Sequence, residues 1–198
     1  MSGKRCVEDI GKLGGGNMKD TLVVNLIGGQ GAGKSTMMAS LFSWLKGKGV
    51  DAEMCTEFAK ELVWENRQET FKDELYIFAK QNHRLFRCNG KVDVIVTDRP
   101  LIMSVGYNRY YGDKDNVLWN KAYETMVEET FSQYRNLNVY LNRVKPFNEN
   151  GRNETEEQAR AFDGYFRCLL EELDIDYCTY DGCEDSTEII GNHILRTL

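Results

Sequence analysis

A glycine-rich octapeptide constrains the fold of this chain more than any other feature. Residues 28–35 read Gly-Gly-Gln-Gly-Ala-Gly-Lys-Ser and match the spacing G-x-x-x-x-G-K-S/T in full. The apolar run TLVVNLI at 21–27 precedes the octapeptide, and residues 34–46 follow it with apolar side chains at helical spacing. Glycines between a strand and a helix let backbone N–H groups curl around phosphate oxygens at the positive end of the helix. The pattern predicts a phosphate-binding loop.

Each position of this loop has an expected role toward Mg·ATP. Lys34 is expected to reach the β- and γ-phosphates, Ser35 to offer its hydroxyl to Mg²⁺, and Thr36 to reinforce the phosphate contacts. An ordinary glycine turn before a helix is the alternative, but the full match between strand and helix favours nucleotide binding. The remaining positions form the backbone cradle: Gly28, Gly29, Gln30, Gly31, Ala32 and Gly33.

Strands and helices alternate along the rest of the chain. Apolar runs predict four more strands, at 52–56, 92–97, 138–141 and 177–180. Helical periodicity predicts helices at 57–66, 70–87, 119–134, 155–173 and 186–198, the fourth opening with a capping box. This alternation is typical of an α/β protein of the P-loop NTPase fold. We expect a parallel five-stranded sheet with helices on both faces and ligands at the carboxyl ends of the strands.

Length and composition indicate one domain with a small-molecule partner. A chain of 198 residues with 41% apolar residues can bury one sizeable core, which we assign to residues 18–198. Residues 1–17 lack periodicity and are expected to be a disordered lead, with translation starting at Met18 as one hypothesis. No apolar run is long enough for a membrane span or signal peptide, so a cytoplasmic location is expected.

The net charge of the chain indicates which kind of partner it binds. A net charge of -6 disfavours broad attachment to nucleic acid and favours a small-molecule substrate. An oligomeric state is not predicted by the sequence.

The third predicted strand ends in Val96-Thr97-Asp98-Arg99-Pro100. Asp98 is expected to hold Mg²⁺ through water or to take the proton of an acceptor, and capping of a following helix is the alternative. Arg99 is expected to offset charge on the donor or the acceptor. One acid followed by an arginine suits phosphoryl transfer to a bound acceptor better than hydrolysis, for which a second acid would polarise water.

Glu57 follows the second predicted strand and is expected at the same edge of the sheet. It is a second candidate for the general base, and the alternative is a first-turn glutamate favoured by the helix dipole.

Two further segments are candidates for contacts to the ligands. Residues 143–160 are basic and loop-breaking, and they are expected to form a short lid in which Arg143, Lys145 and Arg152 fold over the phosphates. A solvated loop is the alternative.

A cluster of aromatic and basic residues follows Asp98. One interpretation is that the cluster contacts the ring of an acceptor, and the other is that it packs a helix on the core. The cluster comprises Tyr107, Arg109, Tyr110 and Tyr111.

Several of these segments together carry a resemblance to a known group. Besides the octapeptide, they are T-E-F at 56–58, V-T-D at 96–98 and N-G-R-N-E-T-E-E-Q-A-R-A-F at 150–162. Over residues 22–181 the chain resembles the small P-loop kinases related to the ribosylnicotinamide kinase domain of bacterial NAD-biosynthesis regulators. Members of this group occur in bacteria and bacteriophages and are often labelled AAA or ATPase. The resemblance implies transfer of the γ-phosphoryl group of ATP to a hydroxyl of a nucleoside-like acceptor.

A second resemblance widens the range of acceptors. The Asp98-Arg99 pair, with Ser104 and Tyr107 following, is similar to the D-R motif of thymidylate kinases. A phage branch that resembles this family phosphorylates hydroxymethyluracil within DNA. We therefore expect an ATP-dependent kinase of a nucleoside, nucleotide or related metabolite. The alternatives are a kinase of that modified base in DNA and a P-loop ATPase without a small-molecule acceptor.

Overall fold

The computed structural model describes residues 18–144, 146 and 155–198. Within them, five strands alternate with helices in the predicted order. The strands are β1 (Leu22–Ile27), β2 (Ala52–Cys55), β3 (Val94–Thr97), β4 (Arg135–Asn142) and β5 (Cys178–Asp181). The helices are α1 (Lys34–Gly47), α2 (Ala59–Trp64), a 3₁₀ helix (Gln68–Lys72), α3 (Glu74–Phe86), α4 (Met103–Tyr111), α5 (Val117–Ser132), α6 (Glu156–Glu172) and α7 (Ser186–Thr197).

The strands form a single parallel sheet in the order β2-β3-β1-β4-β5. The predicted five-stranded parallel sheet is confirmed. Because β1 lies in the centre, β3 and β4 flank the loop that leaves its carboxyl end. The chain crosses to one side of β1 for β2 and β3 and to the other side for β4 and β5. Such a switch in direction opens a crevice at the carboxyl ends of the strands.

Both faces of the sheet are covered by helices, as predicted. Alternate residues of β1 point to opposite faces, so Val24 packs toward α1 and α7 while Val23 packs toward α3, α4, α5 and α6. Every residue of β1 is buried. Burial on both faces explains why the central strand is a nearly continuous apolar run in the sequence.

Strand β4 begins three residues before its predicted start, because asparagine side chains pair between β1 and the beginning of β4. Asn25 of β1 donates hydrogen bonds to Asn136 and Asn138 of β4, at 2.9 and 3.0 Å. These amides, of which Asn25 and Asn138 are buried, pair with one another across the sheet, so their polarity does not exclude them from it. A pattern of apolar residues could not extend the predicted strand from Asn138 back through Asn136.

Two helical predictions need correction. The helix predicted at 70–87 is a 3₁₀ turn followed by α3, because the Asp73 side chain accepts the backbone N–H of Tyr76 at 3.0 Å and caps a new helix. Helix α4, between Met103 and Tyr111, was not among the predicted helices. The predicted capping box is present at the start of α6, where the side chains of Thr155 and Gln158 satisfy each other's backbone N–H groups.

Some predictions fall outside the described residues. These are the disordered lead at 1–17 and the lid residues Lys145 and Arg152. Within the parts of the chain that are described, no helix combines the length and the apolar character needed to cross a membrane.

Candidate active site

The predicted phosphate loop joins β1 to α1 in a conformation that only glycine adopts freely. Gly28, Gly31 and Gly33 have φ angles of 147°, 81° and 95°. A Cβ atom at Gly33 would lie 2.6 Å from the carbonyl oxygen of Gly182. The glycines therefore serve two purposes: they allow the turn, and they allow the chain that follows β5 to pack against the loop.

Lys34 lies across this loop. Its ammonium group donates hydrogen bonds to the carbonyl oxygens of Gly28 and Gly29, at 2.7 and 2.9 Å. An anionic phosphate oxygen is a stronger acceptor for an ammonium group than a backbone carbonyl. The lysine is thus held beside the position predicted for the phosphates, where it can exchange the two carbonyl oxygens for phosphate oxygens.

Asp98 connects the loop with the ends of β2 and β3. One carboxylate oxygen accepts the Ser35 hydroxyl at 2.6 Å, and the other accepts the backbone N–H of Glu57 at 2.9 Å. The side chain is only 3% exposed. Helix α4 begins at Met103 without a side-chain cap, so the helix-capping alternative for Asp98 is not what the structure contains.

The Ser35 and Asp98 side chains suit magnesium. Both are hard oxygen donors, and Mg²⁺ usually takes one or two protein oxygens together with phosphate oxygens and water. Among the described residues, no three or more His, Cys, Asp or Glu side chains are grouped so that they alone could hold a metal ion. The donor set fits an ion that is bound jointly by the protein and a nucleotide.

A cleft of about 250 Å³ opens beside the loop. Gln30, Lys34, Ser35 and Thr36 line one wall, and Glu57 lies between this wall and the facing residues. The structure therefore brings the loop together with Glu57 in the cleft, and with Asp98 through Ser35, at one edge of the sheet. The facing wall comes from α2 and the 3₁₀ helix through Ala59, Lys60, Val63 and Phe71.

A second, smaller cavity of about 20 Å³ adjoins the cleft. Gln30, Glu57, Ala59 and Phe71 line both spaces. The smaller cavity is completed by Glu74, Arg99, Tyr107 and Tyr111. One compartment thus lies along the phosphate loop, and the other lies around Arg99.

Arg99 is buried between two carboxylates. Its guanidinium nitrogens lie 3.3 Å from Glu57 and 3.5 Å from Glu74, and its central carbon lies 3.8 Å from the centre of the Tyr107 ring. The side chain is 4% exposed. Burial by itself lowers the pKa of Arg99, but the negative charges of Glu74 and Glu57 outweigh it and leave the pKa raised. Arg99 is therefore a fixed cation in the wall of the cavity.

Glu74 was not among the predicted site residues. Burial raises the pKa of its carboxyl to about 7, and the charge of Glu57 adds to this while Arg99 opposes it. Glu74 stands inside a segment predicted as one continuous helix, where a glutamate normally faces solvent. The sequence signal was the acidic pair at 73–74, which marks the start of α3.

We predict that Glu74 makes the stability of the protein depend on pH. Because its folded pKa of about 7 lies above its ordinary value of 4.5, the folded state holds the proton more tightly. The resulting stability is complete below pH 4.5 and is lost as pH rises toward and through about 7. The loss should be about 3 kcal/mol. Urea unfolding at pH 5, 6, 7 and 8 measures it.

The neutral variant Glu74→Gln should have a flatter profile than the wild type and be relatively more stable at pH 8. Glu128→Gln, which changes an exposed glutamate of α5, is the matched control and should leave the slope unchanged. Parallel profiles for the wild type and Glu74→Gln would contradict the prediction.

Gln81 is a second residue that the sequence pattern missed. This α3 side chain is 1% exposed; its oxygen accepts the backbone N–H of Phe58 at 3.0 Å, and its nitrogen lies 3.4 Å from the Thr97 hydroxyl. Gln81 therefore ties together the chain next to Glu57 and the chain next to Asp98. In the sequence it is one polar residue in an amphipathic helix, and no local signal distinguishes it.

The predicted lid residue Arg143 lies behind the phosphate loop. Its guanidinium pairs with Asp163 of α6 at 2.8 Å, and Asp163 accepts the backbone N–H of Gly29 at 2.7 Å. Arg143 is thus linked to the loop through Asp163, a residue that was not predicted. It does not line the cleft.

The aromatic and basic cluster after Asp98 divides into two parts. Tyr107 and Tyr111 of α4 line the small cavity, with their rings stacked at 6.3 Å. Arg109 instead pairs with Glu124 of α5, at 2.9 Å, and also with a glutamate of α6. Tyr110 packs on α6. Packing between helices thus accounts for Arg109 and Tyr110, whereas contact with an acceptor ring stays a prediction for Tyr107 and Tyr111.

A parallel sheet of this order, with the glycine loop between its first strand and first helix, defines a P-loop nucleotide-binding protein of the α/β class. Residues 23–183 match a family model described as an AAA domain. The chain therefore belongs to the AAA domain family. A search of curated proteins found no match.

Several solved structures have a similar fold. NadR protein in complex with NR superposes with a TM-score of 0.67 at 16% identity, covering 88% of this chain and 52% of that one. NadR protein in complex with NAD and AMP-PNP gives 0.62 at 17%, covering 90% and 50%. This chain thus spans about half the length of the NadR chains. Deoxyadenosine kinase from M. mycoides with bound dATP gives 0.57 at 16%, covering 87% and 99%. The predicted resemblance is therefore confirmed for the AAA domain family by the family model and for the fold by the NadR structures.

Proposed function

We propose that this protein is an ATP-dependent kinase that transfers the γ-phosphoryl group to a hydroxyl of a nucleoside-like acceptor. The observation that carries the proposal is the cleft along the phosphate loop, which Glu57 lines together with an adjoining cavity large enough for one group of an acceptor. A kinase must hold donor and acceptor next to each other, with a proton-accepting group at the junction. The NadR and deoxyadenosine kinase structures, which hold NR, NAD or dATP, support an acceptor of this class.

The donor side rests on the phosphate loop. The backbone N–H groups of residues 28–36 and the ammonium group of Lys34 would bind the phosphates of ATP. Ser35 and Asp98 would hold Mg²⁺. When bound, the ion neutralises charge on the phosphate oxygens. Thr36 lines the same cleft and would add a hydroxyl contact.

Of the two candidates for the general base, Asp98 and Glu57, Glu57 is the better one. Both carboxylate oxygens of Asp98 already accept hydrogen bonds, from Ser35 and from the backbone of Glu57. The Glu57 carboxylate is 23% exposed and contacts Arg99 through one oxygen. Glu57 can therefore take the proton of an incoming hydroxyl while Arg99 holds it in place, and Asp98 remains on the magnesium side.

The charges around the small cavity favour a hydroxyl acceptor over a phosphate acceptor. Glu57 supplies one carboxylate, and Glu74, with a pKa of about 7, supplies a second that is charged in part of the molecules at neutral pH. Arg99 is the one cation among the described residues that line the cavity. Both carboxylates lie within 3.5 Å of that cation and largely neutralise it. A nucleoside monophosphate would bring its negative charge against these carboxylates. A neutral or cationic nucleoside would not.

Transfer of radiolabelled γ-phosphate from ATP with Mg²⁺ tests the proposal. The acceptors are nicotinamide riboside, the common nucleosides, nucleoside monophosphates and DNA containing hydroxymethyluracil. We expect label in one or more nucleosides, and a decrease in kcat of about 100- to 10,000-fold in Glu57→Gln, because a general base contributes about that factor.

The same experiment separates the rival functions. Label in the modified DNA alone would favour the base-in-DNA kinase. Label in monophosphates alone would contradict the charge argument. Release of free phosphate without any labelled acceptor would favour an ATPase.

A further inference from the structure

Two buried polar atoms around the small cavity have no hydrogen-bond partner among the described residues. They are the side-chain oxygen Oε1 of Gln30 and the nitrogen Nε of Arg99. Both residues line the cavity of about 20 Å³. Buried polar groups in folded proteins are nearly always paired, so a buried donor and a buried acceptor around one cavity indicate a ligand group.

The rest of Arg99 is already engaged. Its Nη1 and Nη2 atoms face Glu57 and Glu74, and its guanidinium plane lies over Tyr107. The Nε–H group is thus the part of the guanidinium that is left for a ligand. It can only donate a hydrogen bond, whereas Oε1 of Gln30 can only accept one.

These two requirements call for a group that both donates and accepts a hydrogen bond. A phosphate or carboxylate oxygen could accept from Arg99 but could not donate to Gln30, and the two glutamates in the wall would repel it. A hydroxyl both donates and accepts. A cavity of about 20 Å³ holds a single oxygen-sized group, since one water needs about 10–15 Å³.

We propose that Gln30 and Arg99 form a binding subsite for one hydroxyl of the acceptor, and that this hydroxyl is not the one that is phosphorylated. This inference rests on the proposed kinase function. The reacting hydroxyl gives its single proton to Glu57, so the hydroxyl that donates to Gln30 must be a second one. The acceptor is therefore a molecule with at least two hydroxyl groups, and Gln30, at the third position of the phosphate loop, determines specificity for the second.

The subsite is tested by comparing acceptors that differ in one hydroxyl. Adenosine, cytidine, uridine and nicotinamide riboside are titrated by calorimetry into the protein with AMP-PNP and Mg²⁺, and are assayed for phosphoryl transfer with ATP. Each is compared with its 2′-deoxy and 3′-deoxy forms. We expect the wild type to prefer one hydroxylated form by about 10- to 100-fold, since a buried pair left unmade costs about that factor.

Variants of Gln30 test whether this side chain causes the preference for the hydroxylated form. Gln30→Leu keeps the size of the side chain but removes the acceptor atom, and should reduce the preference to about twofold or less. Gln30→Glu restores an acceptor oxygen and should recover part of it. Lys121→Met changes an exposed residue of α5 that lines neither space and should leave the preference intact.

The outcomes separate this inference from the proposed function. Transfer to a nucleoside with equal preference for its deoxy forms, or a preference that survives in Gln30→Leu, would overturn the subsite and leave the kinase standing. A Gln30-dependent preference in binding without any transfer would support the subsite and overturn the kinase. Failure of all four nucleosides to bind would overturn both.

Discussion

Replacing Lys34 with alanine should reduce phosphoryl transfer by at least about 100- to 1,000-fold, because the variant loses a preorganised cation that stabilises charge on the transferred group. The ammonium group donates to two carbonyl oxygens of the loop, at 2.7 and 2.9 Å, and these acceptors carry no net charge. We therefore expect the melting temperature to change little. Steady-state transfer assays and thermal unfolding measure the two effects.

Lys46→Ala is the matched control for this variant. Lys46 belongs to the same helix but lies in its last turn, where it pairs loosely with Asp51 at 3.7 Å. It should retain full transfer. Undiminished transfer in Lys34→Ala would show that the loop does not carry the reaction. A collapse of the fold would instead show that the lysine is structural.

Replacing Arg99 with methionine should have the largest effect on stability. The change leaves Glu74, which is 5% exposed, without the cation that faces it. Removing one partner of a buried ion pair costs about 3–5 kcal/mol. The cost should be greater at pH 8 than at pH 6, because Glu74 with a pKa near or above 7 can take up a proton at the lower pH. Transfer activity should be lost as well, since Glu57 loses its positioning contact.

Arg109→Met is a close control, because Arg109 also lies between two glutamates but belongs to the α4–α5–α6 surface, away from the cavity. It should lose less stability and retain transfer. Adding Glu74→Gln to Arg99→Met should recover much of the stability at pH 8, since the unpaired charge is then absent. A double variant that stays as unstable as Arg99→Met would mean that the loss arises from packing on Tyr107 rather than from charge.

The parts of the site that were predicted from sequence are those with a local signature. The phosphate loop could be identified because its spacing, its glycines and its place between an apolar run and an amphipathic helix are all properties of adjacent residues. Asp98, Arg99 and Glu57 could be located because parallel strands end at one edge of a sheet. Their relation to one another could not, because the bonds of Asp98 to Ser35 and to the backbone of Glu57 join segments 63 and 41 residues apart.

The residues that were missed act through contacts across the fold. Gln81 reaches two strand ends from a helix, and Asp163 reaches the phosphate loop from α6. Each is one polar residue in an amphipathic helix, and its sequence neighbours do not reveal whether it faces solvent or a buried backbone group. Glu74 was hidden for a related reason, because the break between the 3₁₀ helix and α3 turns it toward Arg99.

The sequence by itself determined the α/β class, the alternation of strands and helices, and a loop shaped for phosphate, because periodicity and glycine placement act over a few residues. Tertiary structure alone decided that both carboxylate oxygens of Asp98 accept hydrogen bonds, that Arg143 lies behind the loop, and that Gln30 and Arg99 line a common cavity. Those properties depend on burial and on the distance between groups remote in sequence, and both are set only when the helices pack on the sheet.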